Sequence, residues 1–151
     1  MKIEKASEKE LRIVSKITQE TISAVYSQYY PVGAVDFFKN HHNEKNIAED
    51  ISNGIVYLLY DEENTVGTVT LRENEICRLF VLPEFQHKGY GRFLLDFAEK
   101  EILKRFEKII IDASLPAKKI YKLRGYTETA YHIIDTENDD KLCYDQMEKA
   151  N

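Results

Sequence analysis

The decisive stretch runs from Glu75 to Ala113. It opens as Glu75-Ile76-Cys77-Arg78-Leu79-Phe80-Val81-Leu82 and turns at Pro83-Glu84-Phe85. It then passes through Gln86-His87-Lys88-Gly89-Tyr90-Gly91-Arg92 and ends as Ile109-Ile110-Ile111-Asp112-Ala113. The first run predicts a β-strand and the last a buried one. Between them Phe93, Leu94, Phe97, Ala98, Ile102 and Leu103 recur at helical spacing, which predicts an amphipathic helix over Gly91 to Phe106. Strand, helix and strand in that order predict a parallel crossover in the middle of a sheet.

Upstream, Lys2 to Ala6 predicts a short strand. Ser7-Glu8-Lys9-Glu10 has the form of a capping box, a serine with a glutamate three residues on. The helix it starts should stop near Tyr29, because Pro31 and Gly33 follow. Ala34 to Asn53 predicts one or two further helical pieces with Phe37, Phe38, His41, Ile47 and Ile51 inward. Ile55 to Tyr60, Val66 to Leu71 and Glu75 to Leu82 are β-forming runs separated by short polar turns, an antiparallel meander. Downstream, Pro116 to Arg124 predicts a short helix stopped by Gly125. Tyr126 to Asp135 and Leu142 to Met147 predict two last strands joined by the turn Glu137 to Asp140. The fold class is therefore α+β: a mixed, mostly antiparallel sheet of about seven strands with a central parallel pair, flanked by helices.

With 151 residues, 43% of them hydrophobic, the chain fits a single domain over residues 1–151 and is no disordered tail. No apolar run approaches the roughly 18 to 20 residues of a membrane span. The charged start Met1-Lys2-Ile3-Glu4-Lys5 lacks the apolar core of a signal peptide. The 21 basic and 26 acidic residues sum to −5, a poor match for a nucleic-acid or anionic-membrane partner. Cys77 and Cys143 are too few for a disulfide framework or a structural zinc site, and each sits in an alternating strand pattern. No metal-ligand triad is visible. A cytoplasmic protein is expected.

The chemistry points to the loop before the central helix. Unpaired N–H groups and the positive end of a helix dipole suit a phosphate or pyrophosphate, and glycines let the ligand approach the backbone. Lys88 and Arg92 add positive charge. The loop is neither the nucleotide-binding GxxxxGK[ST] nor the dinucleotide GxGxxG, since no Lys-Ser/Thr follows Gly91 and the residue three beyond it is Leu94.

Gln86-His87-Lys88-Gly89-Tyr90-Gly91, set behind Leu79-Phe80-Val81-Leu82-Pro83, resembles the Q/R-x-x-G-x-G/A signature of the GNAT family, the acetyl-CoA-dependent N-acetyltransferases. The run Ser114 to Tyr126 is similar to a second family element, N-x-x-A-x-x-x-Y-x-x-x-G-F/Y, through Ala117, Tyr121, Gly125 and Tyr126. Ser114 departs from it by standing where asparagine is usual, with a shorter reach. The resemblance covers Glu75 to Tyr126 closely and the rest as an order of elements.

The resemblance implies an N-acetyltransferase that moves an acetyl group from acetyl-CoA directly to a primary amine of a small molecule or peptide. The other reading is a non-catalytic acyl-CoA-binding regulatory domain of the same fold. The main chain of Leu79, Phe80 and Val81 would pair with the pantetheine arm. Gln86, His87, Lys88, Gly89, Tyr90, Gly91 and Arg92 would hold the pyrophosphate, and Ser114 would line the cofactor site. An N–H near Leu79 or Phe80 would polarise the thioester carbonyl. Tyr121 would serve the leaving thiolate, and Glu75 would be the base, with Asp112, His41 and His42 in reserve. Two-residue periodicity places Glu75 on one strand face with Cys77 and Leu79. Tyr26 to His42 and Ala130 to Tyr144 would build the acceptor pocket. The expected partners are acetyl-CoA and an amine, without metal, nucleic acid or membrane, and a homodimer is compatible with the family.

Overall fold

A computed structural model describes residues Met1–Asn151. Seven strands form one sheet in the order β1-β2-β3-β4-β5-β7-β6. They are β1 (Lys2–Lys5), β2 (Val56–Asp61), β3 (Asn64–Arg72), β4 (Glu75–Val81), β5 (Lys108–Ala113), β6 (Thr127–Asp135) and β7 (Lys141–Ala150). The helices are α1 (Leu11–Val25), α2 (Val32–His41), α3 (Glu44–Ser52), α4 (Tyr90–Leu103) and α5 (Leu115–Leu123). All neighbouring strands are antiparallel except β4 and β5, the two strands joined by α4.

The local signals act as expected. The Ser7 amide donates to Glu10 Oε2 at 2.7 Å, which closes the first turn ahead of α1. Pro31 stands immediately before α2. The expected helical stretch Ala34 to Asn53 is two helices, because the Asn43 side chain accepts the Asn46 amide at 2.9 Å and caps α3 afresh.

The sheet has an apolar core on each face. Leu94, Leu95, Ala98 and Ile102 of α4 pack on Val66, Val69, Leu71, Ile109 and Met147. Val14, Ile17 and Ile22 of α1, with Ile47 and Ile51 of α3, pack on Val56, Leu58 and Phe80. Gly67 lets α4 sit close, since a Cβ there would lie 2.9 Å from both Leu94 Cδ1 and the Phe80 carbonyl oxygen.

Three features of the sheet and its flanking helices matter for the site, of which the second and third depart from the sequence reading. First, β4 and β5 pair only at Glu75–Ile110 and Ile76–Ile111. Beyond Ile76 they part, while β5 stays paired with β7 along its whole length. Second, β3 faces β4 with a register shift. Thr70 opposes Arg78 but Leu71 opposes Ile76, so Cys77 is an extra residue. Such a bulge bends the strand and changes its phase. Ile76 and Leu79 both pack toward α4 as a result, so Glu75 lies on the opposite face from Leu79 and the simple alternation fails. Third, His42 rather than His41 is the buried histidine. His42 follows α2 with φ −106° and ψ 43°, which leaves the helical path, and its side chain is buried.

Candidate active site

The parting of β4 from β5 leaves backbone groups without a strand partner. Leu71 N–H bonds Ile55 and Leu82 N–H bonds Val66. An antiparallel strand alternates the side to which its residues bond. Phe80, opposite Thr68, therefore turns its N–H and C=O toward β3. Leu79 and Val81 turn theirs into the gap. The Val81 carbonyl accepts from Gln86 Nε2 at 3.0 Å and from Thr21 Oγ1 at 3.3 Å. Leu79 N–H, Leu79 C=O and Val81 N–H remain as an open edge.

At the end of that edge, a short 3-10 turn (Pro83–Phe85) leads to Gly89, the residue before α4. Gly89 has φ 89° and ψ −2°, a left-handed conformation that glycine adopts without steric cost. No side chain caps this helix. The first intrahelical bond is Phe93 N–H to Gly89 C=O at 3.1 Å, so the N–H groups of Tyr90, Gly91 and Arg92 are free. His87 shares the positive φ, at 62°. The side chains play different parts. Gln86 clamps the Val81 carbonyl, the Tyr90 hydroxyl bonds Asp61, and Lys88 Nζ sits 5.4 Å from the Phe85 ring centre. His87 and Arg92 are exposed.

Two cavities meet at the gap. One, of about 950 Å³, is bounded by Val81, Gln86, His87, Gly91 and Arg92 and by the exposed flank of α5. The other, of about 530 Å³, is bounded by Phe37, Phe38, His41, His42, Glu75, Asp112 and Tyr144. Tyr26, Leu79, Phe80, Ser114, Ala117 and Tyr121 line both. These six residues form a throat through the molecule where the strands diverge.

Two tyrosines guard the throat. Tyr121 is buried, its ring 5.5 Å from that of Tyr126. Burial pushes its hydroxyl pKa well above the usual range, with the neighbouring Tyr26 adding to the effect. Burial also raises Tyr26, which the Ser114 side chain partly offsets. Ser114 precedes α5, yet its side chain does not cap that helix and lies in the throat instead. Tyr30 accepts the Leu115 amide at 2.7 Å and donates to the Cys143 carbonyl at 3.2 Å, tying the segment between α1 and α2 to α5 and β7.

The smaller cavity is rich in charge. Glu75 and Asp112 are both partly desolvated, which raises both carboxyl pKa values. The Asp112 charge raises Glu75 further, and Arg72 opposes it. The Cys77 thiol is pushed up to about 12 by burial and by Glu75, so it stays protonated. Arg78 binds Asp50 Oδ2 at 2.9 Å, Thr70 Oγ1 at 3.0 Å and His42 Nδ1 at 3.2 Å. Burial, helped by Arg78, depresses His42 to about 3. A histidine held that low is neutral at physiological pH. This network of Asp50, Thr70, Arg78 and His42 is absent from the sequence reading. The one available signal was an arginine in an apolar strand.

A family model of the acetyltransferase (GNAT) domain matches residues 14–149. The chain belongs to the GNAT family. Its fold is correspondingly similar to that of a GCN5-related N-acetyltransferase from Rhodopseudomonas palustris, with a TM-score of 0.90 at 20% identity over 99% of this chain and 95% of the other. The PaiA N-acetyltransferase from Thermoplasma acidophilum, solved in complex with coenzyme A, gives 0.74 at 21% identity over 99% and 98%. An uncharacterized N-acetyltransferase in the pepI 3′ region of Lactobacillus delbrueckii subsp. lactis is 25% identical over 89% of this chain and 88% of its own length. In this GNAT chain the parted strands, the open Leu79 edge and the uncapped α4 terminus fall in one continuous groove. No helix is long and apolar enough to cross a membrane.

Proposed function

We propose that this chain is an acetyl-CoA-dependent N-acetyltransferase acting on a primary amine by direct transfer. One observation carries the reading: two cavities meet where β4 and β5 part, at a throat formed by Tyr26, Leu79, Phe80, Ser114, Ala117 and Tyr121. That arrangement lets two substrates approach one point from separate cavities.

The larger cavity fits a coenzyme A thioester. Leu79 N–H, Leu79 C=O and Val81 N–H offer an open edge to an amide-bearing arm, as a missing strand would be bonded. The free N–H groups of Tyr90, Gly91 and Arg92 suit a pyrophosphate, reinforced by the helix dipole. Lys88 and Arg92 add charge near it. Acetyl-CoA supplies an acyl group activated as a thioester.

The chain's own residues then have separable roles. Leu79 N–H is placed to donate to a carbonyl oxygen as negative charge develops there. Tyr121 keeps its proton at neutral pH and can donate it to a departing sulfur. An alkyl ammonium, with a pKa of about 10, must lose a proton before it attacks. Glu75 is the nearest fit for that task, since a carboxylate with a raised pKa accepts a proton more readily. Asp112 lines the same cavity and tunes Glu75 by charge.

The test is an acceptor screen with acetyl-CoA, following release of free thiol. Thiol release that depends on an amine, with an acetylated amine in the product, is expected. Tight acetyl-CoA binding with no transfer to any amine would instead support the binding-domain reading.

A further inference from the structure

The acceptor cavity holds a buried side chain whose hydrogen-bonding direction is fixed and half unused. His42 is 9% exposed. Arg78 Nε lies 3.2 Å from His42 Nδ1. A guanidinium only donates, so Nδ1 must be the accepting, unprotonated nitrogen. The imidazole proton is therefore on Nε2. Arg78 cannot easily turn away, because Asp50 and Thr70 hold its other nitrogens at 2.9 and 3.0 Å.

Nε2 has no partner within the protein. It is not sealed in the core either, since Thr136 Oγ1 alone is a fully buried side-chain polar atom without a partner. The opening available to it is the acceptor cavity that His42 lines. The ring sits 6.0 Å from that of Phe80, a wall of the throat, and 4.9 Å from that of His41. A neutral N–H donor thus belongs to a ring that lines the same cavity as Glu75 and neighbours Phe80 of the throat.

We infer that His42, held as its Nε2–H tautomer by Arg78, is a specificity-determining donor that recognises a neutral oxygen acceptor next to the reacting amine. The inference rests on the acetyltransferase reading. The favoured class is an α-amino amide, either an amino-acid amide or the N-terminus of a peptide, whose carbonyl lies two bonds from the nitrogen. A plain alkylamine leaves the donor unpaired, and a site with an unpaired polar group rejects such a ligand. A free amino acid is disfavoured too, because its carboxylate would face Glu75 and Asp112, while the two arginines of the same cavity, Arg72 and Arg78, are already paired with Asp50. The depressed basicity of His42 agrees with a group that donates and does not titrate.

The experiment compares kcat/KM for glycinamide, ethylamine, glycine and triglycine amide, each expressed per free amine, in the wild type, His42→Phe and His42→Asn. Phenylalanine keeps the ring and loses both nitrogens. Asparagine keeps an acceptor for Arg78 but is too short to present an N–H in the same place, so it guards against a folding defect. In the wild type glycinamide should exceed ethylamine and glycine by about tenfold or more, the worth of one hydrogen bond to a desolvated donor. Both variants should bring the glycinamide-to-ethylamine ratio to within about twofold of unity. Triglycine amide above glycinamide assigns the site to peptide N-termini, and the reverse assigns it to the small amide. Equal wild-type rates on glycinamide and ethylamine overturn the inference and leave the acetyltransferase reading standing. So does a preference that survives in both variants. Absence of transfer to every amine overturns both.

Discussion

The Arg78 guanidinium meets the Asp50 carboxylate at 2.9 Å, with only 3% and 7% of the two side chains exposed. Asp50 also receives Arg72 at 2.9 Å, but that arginine is 56% exposed and screened by water. Burial lowers the Arg78 pKa and Asp50 opposes the effect. Asp50→Ala leaves a buried cation without its counter-charge, which typically costs about 3–5 kcal/mol. Urea unfolding should show that loss, while Arg72→Ala costs well under half as much.

His42 gives stability a pH signature. Its folded pKa is depressed to about 3, against an ordinary value of 6.5. Below pH 6.5 the unfolded chain takes up a proton that the native chain refuses. The contribution is thus complete above pH 6.5 and is lost as pH falls toward 3, at about 1.4 kcal/mol per pH unit within that window. His42→Asn should flatten the pH dependence of unfolding free energy by that slope between pH 4.5 and 6. Parallel curves for the two proteins would contradict it.

Glu75 and Asp112 make opposite predictions for the rate profile. If Glu75 is the base, kcat/KM rises as pH passes its raised pKa. Glu75→Gln should displace the profile to higher pH, since the amine must then lose its proton unaided. Asp112→Asn removes the charge that raises Glu75, so the acidic limb should move to lower pH. Initial rates across a pH series on one amine decide between them.

Tyr121→Phe deletes one hydroxyl from a ring that packs on Tyr126. Turnover should fall by about 100-fold, the low end for a proton donor, because a thiolate is already a fair leaving group. Acetyl-CoA affinity, measured by calorimetry, should stay within about twofold.

The two loop glycines separate strain from access. A side chain at Gly89 meets open space but must adopt φ 89°, a strain on the order of 1–3 kcal/mol. Gly91 has no such requirement, and its nearest neighbour would be Val81 Cγ2 at 3.9 Å. Gly91→Val should therefore keep thermal stability within a few degrees yet weaken acetyl-CoA binding at least tenfold. Gly89→Val should lower both. Loss of fold in Gly91→Val would show that the glycine serves packing of the first turn of α4 and not ligand access.

The amino-acid sequence by itself determined the order of elements and the parallel crossover. Those depend on local causes: the 3.6-residue spacing of Phe93 to Leu103, the β-branched run at Ile109 to Ile111, and prolines and glycines that end segments. It also determined that the Gly89-x-Gly91 loop opens the central helix, because a helix start leaves N–H groups free whatever surrounds it. Tertiary structure alone decided what those elements enclose. Where β4 and β5 part depends on the two pairs at Glu75–Ile110 and Ile76–Ile111 and on the Cys77 bulge. A bulge is a mismatch between two strands, so neither strand encodes it alone. It moved Glu75 off the face of Leu79. The burial of His42 rather than His41 likewise belongs to the packing around a residue that leaves the helical path. The Arg78–Asp50–His42 network joins residues 28 and 36 positions apart in sequence. Its ionisation follows from a desolvation that only the packed state imposes.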